Sequence, residues 1–185
     1  MSVPLARRAA LLLAAAGLAL LAQGLWIPVK AQVAQVLLDR AFERSVASGG
    51  PHKPWPWADT APVARVEAAR LGVGEVVLSG GSGEAMAFGP TELAGTQRGV
   101  RVLAGHRDTH FRFLRELRRG DRLVLRGIDG SAGDYRVIGV STVRWDRFAY
   151  PLAPPRPLLA LATCYPFDSD RPGPLRRVVW AERIA

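Results

Sequence analysis

The chain has 185 residues and a mass of 20.0 kDa, 49% of them hydrophobic, which suffices for one core of ordinary size and leaves little for a second. Its charge is lopsided: 25 Lys+Arg face 16 Asp+Glu, a formal net charge of +9, with arginines spread along the whole length. No stretch interleaves aromatic with basic residues, and no zinc-finger, helix-turn-helix or RNA-recognition pattern occurs, so nucleic acid is not the expected partner; an anionic membrane surface or an acidic envelope polymer suits a spread charge better.

Residues 1–30 read as a membrane anchor. Arg7 and Arg8 precede an apolar run from Ala9 to Ile27 that is broken only by Gln23, and at about 1.5 Å per residue this run nearly spans a hydrocarbon core. Trp26 and Lys30 mark its far edge. Basic residues concentrated before the span place the N-terminus in the cytoplasm and the remaining chain outside. Ala22-Gln23-Gly24 resembles a small-x-small cleavage site, but the apolar stretch is long for a signal peptide, and a retained anchor is the preferred reading. Either way the rest of the chain is exported. Cys164, the only cysteine, then has no internal disulfide partner: it is buried and inert, paired between molecules, or kept free for use.

Residues 31–60 form a stalk and a loop. Ala31 to Ser48 has helical periodicity, with Val33, Val36, Leu37 and Phe42 on the apolar side and Asp39, Arg40, Glu43 and Arg44 on the polar side; a stalk or a lid is the expected role. Gly49-Gly50-Pro51 stops the helix and Pro54-Trp55-Pro56-Trp57 follows as extended loop, because proline neither continues a helix nor donates to a ladder. Its two tryptophans could cover a substrate groove, pin the loop to the domain or sit at a membrane interface.

From residue 61 to 185 the pattern turns to short strands. Val63 to Arg70, Glu75 to Leu78, Gly99 to Ala104, Arg122 to Arg126, Tyr135 to Arg144, Leu158 to Thr163 and Val178 to Ile184 have strand composition, separated by turn sequences such as Gly120-Asp121 and Asp129-Gly130. Seven or eight such strands predict a mainly β domain closed, or nearly closed, into a barrel. One helix interrupts it, Phe111 to Arg119, capped by Asp108 or Thr109, with Phe111, Leu114 and Leu117 on one face.

Three residues at the ends of these strands carry chemistry: Cys164, His106 and one of the pair Arg176 and Arg177. A thiol is only a few per cent ionised near neutral pH, so a working nucleophile needs a base or a positive charge beside it. His106 moves a proton and a guanidinium holds developing negative charge. They are far apart in sequence, but a barrel gathers strand ends on one rim.

The wording of Leu103-Ala104-Gly105-His106, Leu161-Ala162-Thr163-Cys164 and Leu175-Arg176-Arg177-Val178-Val179 resembles the His, Thr-Cys and Arg motifs of sortases, the cysteine transpeptidases of bacterial cell envelopes. Further stretches, Lys30 to Leu38, Pro54 to Asp59, Gly105 to Phe111 and Thr163 to Phe167, are similar to the proteobacterial branch termed class GN. The resemblance implies an eight-stranded sortase barrel behind a single span, held in a Gram-negative inner membrane and facing the periplasm. It implies Cys164 as nucleophile on a C-terminal sorting signal similar to Leu-Pro-x-Thr-Gly, His106 as general acid and base, Arg176 as oxyanion donor and Thr163 as a residue lining the substrate groove. The partners implied are a substrate protein with that signal and an amine acceptor, with no cofactor required. Aligning Val178-Val179-Trp180 with the family's strand implies Arg176 rather than Arg177, which follows directly and would face the opposite way.

Other readings compete. His106 and His110 flanking Asp108 raise a metal site, but the metalloprotease pattern needs glutamate after the first histidine and Arg107 stands there; calcium needs a carboxylate cluster that the sequence does not display. An L,D-transpeptidase would show Ser/His-x-Gly before its cysteine, and Ala162-Thr163 stands there instead. A non-catalytic, membrane-tethered barrel with a buried Cys164 is the alternative outside enzymes.

Overall fold

The computed structural model describes residues 4–93 and 99–184. The chain divides into two compact units, Met1–Val36 and Leu37–Ala185. A single helix, α1, runs from Leu5 to Ser48 with Pro28 inside it, so the anchor and stalk expected as separate elements are one element, and residues 37–60 belong with the barrel. Its apolar N-terminal part has a mean hydropathy of 2.0 and no buried share, and by length and composition it could cross a membrane. Leu12, Leu13, Leu18 and Ile27 all point outward, which in water would be costly and in lipid is favourable.

The second unit is a closed barrel of eight strands: β1 Pro62–Ala68, β2 Val73–Leu78, β3 Thr91–Glu92, β4 Val100–Ala104, β5 Arg122–Gly127, β6 Ala132–Arg144, β7 Leu158–Tyr165 and β8 Leu175–Arg183. Their order around the wall is β1-β2-β3-β4-β7-β8-β6-β5, with β2/β3 and β4/β7 parallel and the other pairs antiparallel. Alternation decides what faces inward. Ala64, Val66, Val77, Leu103, Leu123, Leu159, Leu161 and Val179 fill the interior with Phe111, Phe113, Leu114 and Leu117 from the β4–β5 connection.

That connection is not the helix expected from Phe111 to Arg119. It is a 3₁₀ turn, Arg112–Arg115, and neither Asp108 nor Thr109 caps it. The apolar spacing of three in Phe111, Leu114 and Leu117 matches the 3.0-residue turn of a 3₁₀ helix, and all three are buried as expected. A short strand, β3, went unseen because two residues carry no periodicity.

Two further clusters lie on the outer surface of the barrel. Leu38 and Phe42 of α1 pack against Val76 and Leu78, with Phe88 and Ile128 beside them. The buried face of this part of the helix is Leu38, Ala41, Phe42 and Ser45, whereas Val33 and Val36, expected on it, are half exposed. Asp39 pairs with Arg65 of β1, whose guanidinium lies 5.1 Å from the Phe42 ring. Trp55 packs edge-on against Phe88 at 5.0 Å and pins the Pro-Trp loop, while Trp57 is 80% exposed. The third cluster, Val100, Val102, Ala160 and Val178, covers the outer face of β4, β7 and β8. Phe148, Tyr150 and Leu93 pack against it, the first two from the β6–β7 connection.

Candidate active site

Cys164 is the penultimate residue of β7 and Arg176 the second of β8, and they are directly opposite each other in the antiparallel ladder. Opposed residues in such a ladder project from the same face, with Cα atoms about 4.5–5.5 Å apart. That face is the outer one, shared with Ala160, Ala162 and Val178. Cys164 is a free cysteine and the residue is partly exposed.

His106 arrives from the other side of β7. The parallel β4/β7 register ends with Ala104 beside Ala162, and the Gly105 N–H still donates to the Ala162 carbonyl at 3.2 Å. One residue further along, exposed His106 leaves the sheet at the level of Cys164. Gly105 must be small here: a Cβ at this position would meet the Phe111 ring at 2.9 Å. The Phe111 N–H donates to the His106 carbonyl at 2.9 Å and closes the turn. Cys164 and Arg176 thus sit on the adjacent strands β7 and β8, and His106 follows just beyond the end of β4, the neighbour of β7 on its other side.

Strand alternation also separates the two arginines. Arg176 has its Nη1 anchored to the carbonyls of Gly173 and Leu175, both at 2.8 Å. A guanidinium has five N–H donors, so this anchor leaves others for a substrate oxygen. Arg177 faces the other way, opposite Thr163, with its Nη1 3.2 Å from Thr142 Oγ1 and its guanidinium 5.6 Å from the Tyr165 ring. Its Nε is buried with no hydrogen-bond partner.

Thr163 shares that inward side. It is 2% exposed, and its hydroxyl donates to the Gly105 carbonyl at 2.7 Å. The groove-lining role expected for it does not suit this placement. Thr163 instead ties the cysteine strand to the residue before His106. Sequence reasoning missed Arg107, which appeared only as a departure from a metal motif; it is 8% exposed and reaches the carbonyls of Pro166 and Ser169 in the β7–β8 loop. A charged residue with so little exposure leaves no trace in sequence periodicity.

The histidines do not share a site. His110 is held through Nδ1 by Glu75 Oε2 at 2.8 Å, within the side chain's mostly buried surroundings. Among the described residues no group of three or more His, Cys, Asp and Glu is placed to hold a metal ion.

A sortase-domain family model matches residues 66–184, which takes in Cys164, His106 and Arg176. The chain belongs to the sortase family. Sortase D of Bacillus subtilis is 35% identical over 89 residues, 48% of this chain and 44% of that protein, so less than half the relative's length is spanned. Sortase C-1 from Actinomyces oris superposes with a TM-score of 0.60 at 26% identity, covering 67% of this chain and 75% of its own. Sortase A from Corynebacterium diphtheriae superposes with a TM-score of 0.61 at 19% identity over 70% of this chain and 63% of its own, and shows the shared fold. Sortases are cysteine transpeptidases, and this sortase carries a single cysteine.

Proposed function

We propose that this sortase is a membrane-tethered cysteine transpeptidase whose α1 spans a Gram-negative inner membrane, N-terminus in the cytoplasm, and whose barrel works in the periplasm. What supports the chemistry is that Cys164 and Arg176 are opposed on the outer face of β7 and β8, with His106 two residues past the end of β4, the strand on the other side of β7. The Cys164 thiolate attacks the carbonyl carbon after the threonine of a C-terminal signal similar to Leu-Pro-x-Thr-Gly. Charge develops on the carbonyl oxygen and is met by the free donors of Arg176, a planar fork suited to the task. The C–N bond breaks, His106 protonates the departing amine, and a thioester remains. An acceptor amine then attacks the thioester, gives its proton to His106, and releases the sulfur.

The test is to incubate the full chain in detergent with a fluorescent peptide carrying the signal and to read the covalent adduct by mass spectrometry. The thioester on the tryptic fragment containing Cys164 is expected, and none in Cys164→Ala. Adduct formation that survives Cys164→Ala without unfolding would refute the reading.

A further inference from the structure

The loop after Cys164 is reached by two arginines that the proposed chemistry does not use, Arg107 from the turn bearing His106 and Arg115 from the 3₁₀ turn that follows. Arg107, though charged and on a turn, is 8% exposed. Its Nη1 donates to the Pro166 carbonyl at 2.8 Å, its Nη2 to the Ser169 carbonyl, and its Nε to the Asp108 carboxylate at 3.2 Å. Asp108 is 66% exposed, so the carboxylate is screened by water and the buried guanidinium is held chiefly by backbone carbonyls. Farther along, Arg115 donates to the Asp168 carboxylate and lies 5.5 Å from the Phe167 ring. Phe167 packs against the barrel core, so this loop is fastened from both sides.

The fastening matters because the β4/β7 ladder gives out just before the chemistry begins. Its last hydrogen bond is from Gly105 N–H to the Ala162 carbonyl, and His106 lies one residue beyond it. Past that point the Thr163 hydroxyl and the Arg107 fork are what tie the histidine turn to the cysteine strand and its loop. A guanidinium satisfies two carbonyls at once in fixed geometry, which a lysine ammonium does not.

We propose that Arg107, seconded by Arg115, is a positioning residue that locks the β7–β8 loop onto the His106 turn and thereby sets the sulfur-to-imidazole geometry. This rests on the reading of Cys164 and His106 as nucleophile and proton carrier. Misplacement of reacting groups by about 1 Å costs on the order of 10²-fold in rate, so a loosened clasp is felt at the sulfur without touching it.

Iodoacetamide alkylation of Cys164 in the full chain in detergent tests this, because it needs no sorting peptide. Wild type, His106→Ala, Arg107→Met and the double variant are compared, with thermal unfolding followed by circular dichroism. Arg107→Met is expected to slow alkylation by on the order of tenfold or more, Arg107→Lys to restore little, and the double variant to be no slower than His106→Ala alone. A wild-type rate in Arg107→Met, or losses that add in full, overturns the inference. Where Arg107→Met does not fold, Arg115→Gln, which opens the outer tie, is read the same way: a smaller, non-additive loss supports the clasp, and a wild-type rate or full additivity overturns it. A wild-type alkylation rate in His106→Ala would instead sink the nucleophile and imidazole reading itself, and this inference with it.

Discussion

Thr163 and Cys164 are neighbours in the chain and face opposite sides of the barrel wall, and this one-residue alternation separates positioning from chemistry. Thr163→Val removes the donor that satisfies the Gly105 carbonyl and is expected to cost about 1–3 kcal/mol of stability, with turnover falling in step, while Thr163→Ser retains both. Urea unfolding and peptide-acylation rates check the pair. On the outward side, Arg176→Lys keeps the charge but loses the fork, and single-turnover acylation is expected to fall on the order of 10²- to 10³-fold with the fold intact. Gly105→Ala presses a methyl group into the ring of fully buried Phe111, which has no room to yield; a loss of about 1–3 kcal/mol in urea unfolding is expected. Cys164, His106 and the arginine pair could be singled out in the sequence because each residue type announces a role. The burial of Arg107 was not, because a charged residue on a turn gives a sequence reader no reason to place it inside.

At the scale of elements, the C-terminal part of α1 shows what periodicity leaves open. Two apolar stripes overlap between Val33 and Phe42, and the buried one is set by what the barrel presents: Val76, Leu78, Phe88 and Ile128 receive Leu38 and Phe42. This segment packs outside β1 and β2, whereas the thiol lies on β7, so residues 37–48 do not lie over Cys164 as a lid would. Phe42→Ala should cost about 3–5 kcal/mol in thermal or urea unfolding, since it empties a packed site and removes the ring beneath Arg65, while the alkylation rate of Cys164 in the remaining folded protein stays at the wild-type value. Most strands were legible within a few residues because inward and outward side chains alternate. The β4–β5 connection was legible as apolar at every third residue but misread as an α-helix, since a spacing of three serves both helix types until the core fixes the turn.

Across the whole molecule, several arginines are held in well-formed pairs with carboxylates. Asp121 accepts from Arg70 through both oxygens at 2.7 Å and from the Arg118 N–H at 2.8 Å, and the Arg70 hydrogen bonds hold its carboxyl below the usual carboxylate range. Asp134 and Asp146 are lowered in the same way by Arg122 and Arg144. A carboxyl depressed in the folded state binds fewer protons there than in the unfolded chain. Its stabilisation is therefore complete above the ordinary carboxylate pKa of about 3.9 and is lost as pH falls through the lower folded value. The melting temperature should drop below about pH 4, and Asp121→Asn should lower it at neutral pH while flattening its acid side, a modest effect because these pairs are at the surface.

The sequence by itself determined that an apolar N-terminal run is followed by a mainly β domain, and that one thiol, one histidine and an arginine pair are its candidates for chemistry. Those follow from composition, from strand periodicity and from side-chain reactivity, all of which are properties of short stretches of chain. The tertiary structure decided which arginine shares a face with the sulfur, that Thr163 looks inward, and that Arg107 is buried against the loop beyond Cys164. These depend on register between strands far apart in the chain: hydrogen-bond pairing at one position fixes the facing of every side chain along the ladder, and nothing local to Cys164 or Arg176 specifies that pairing.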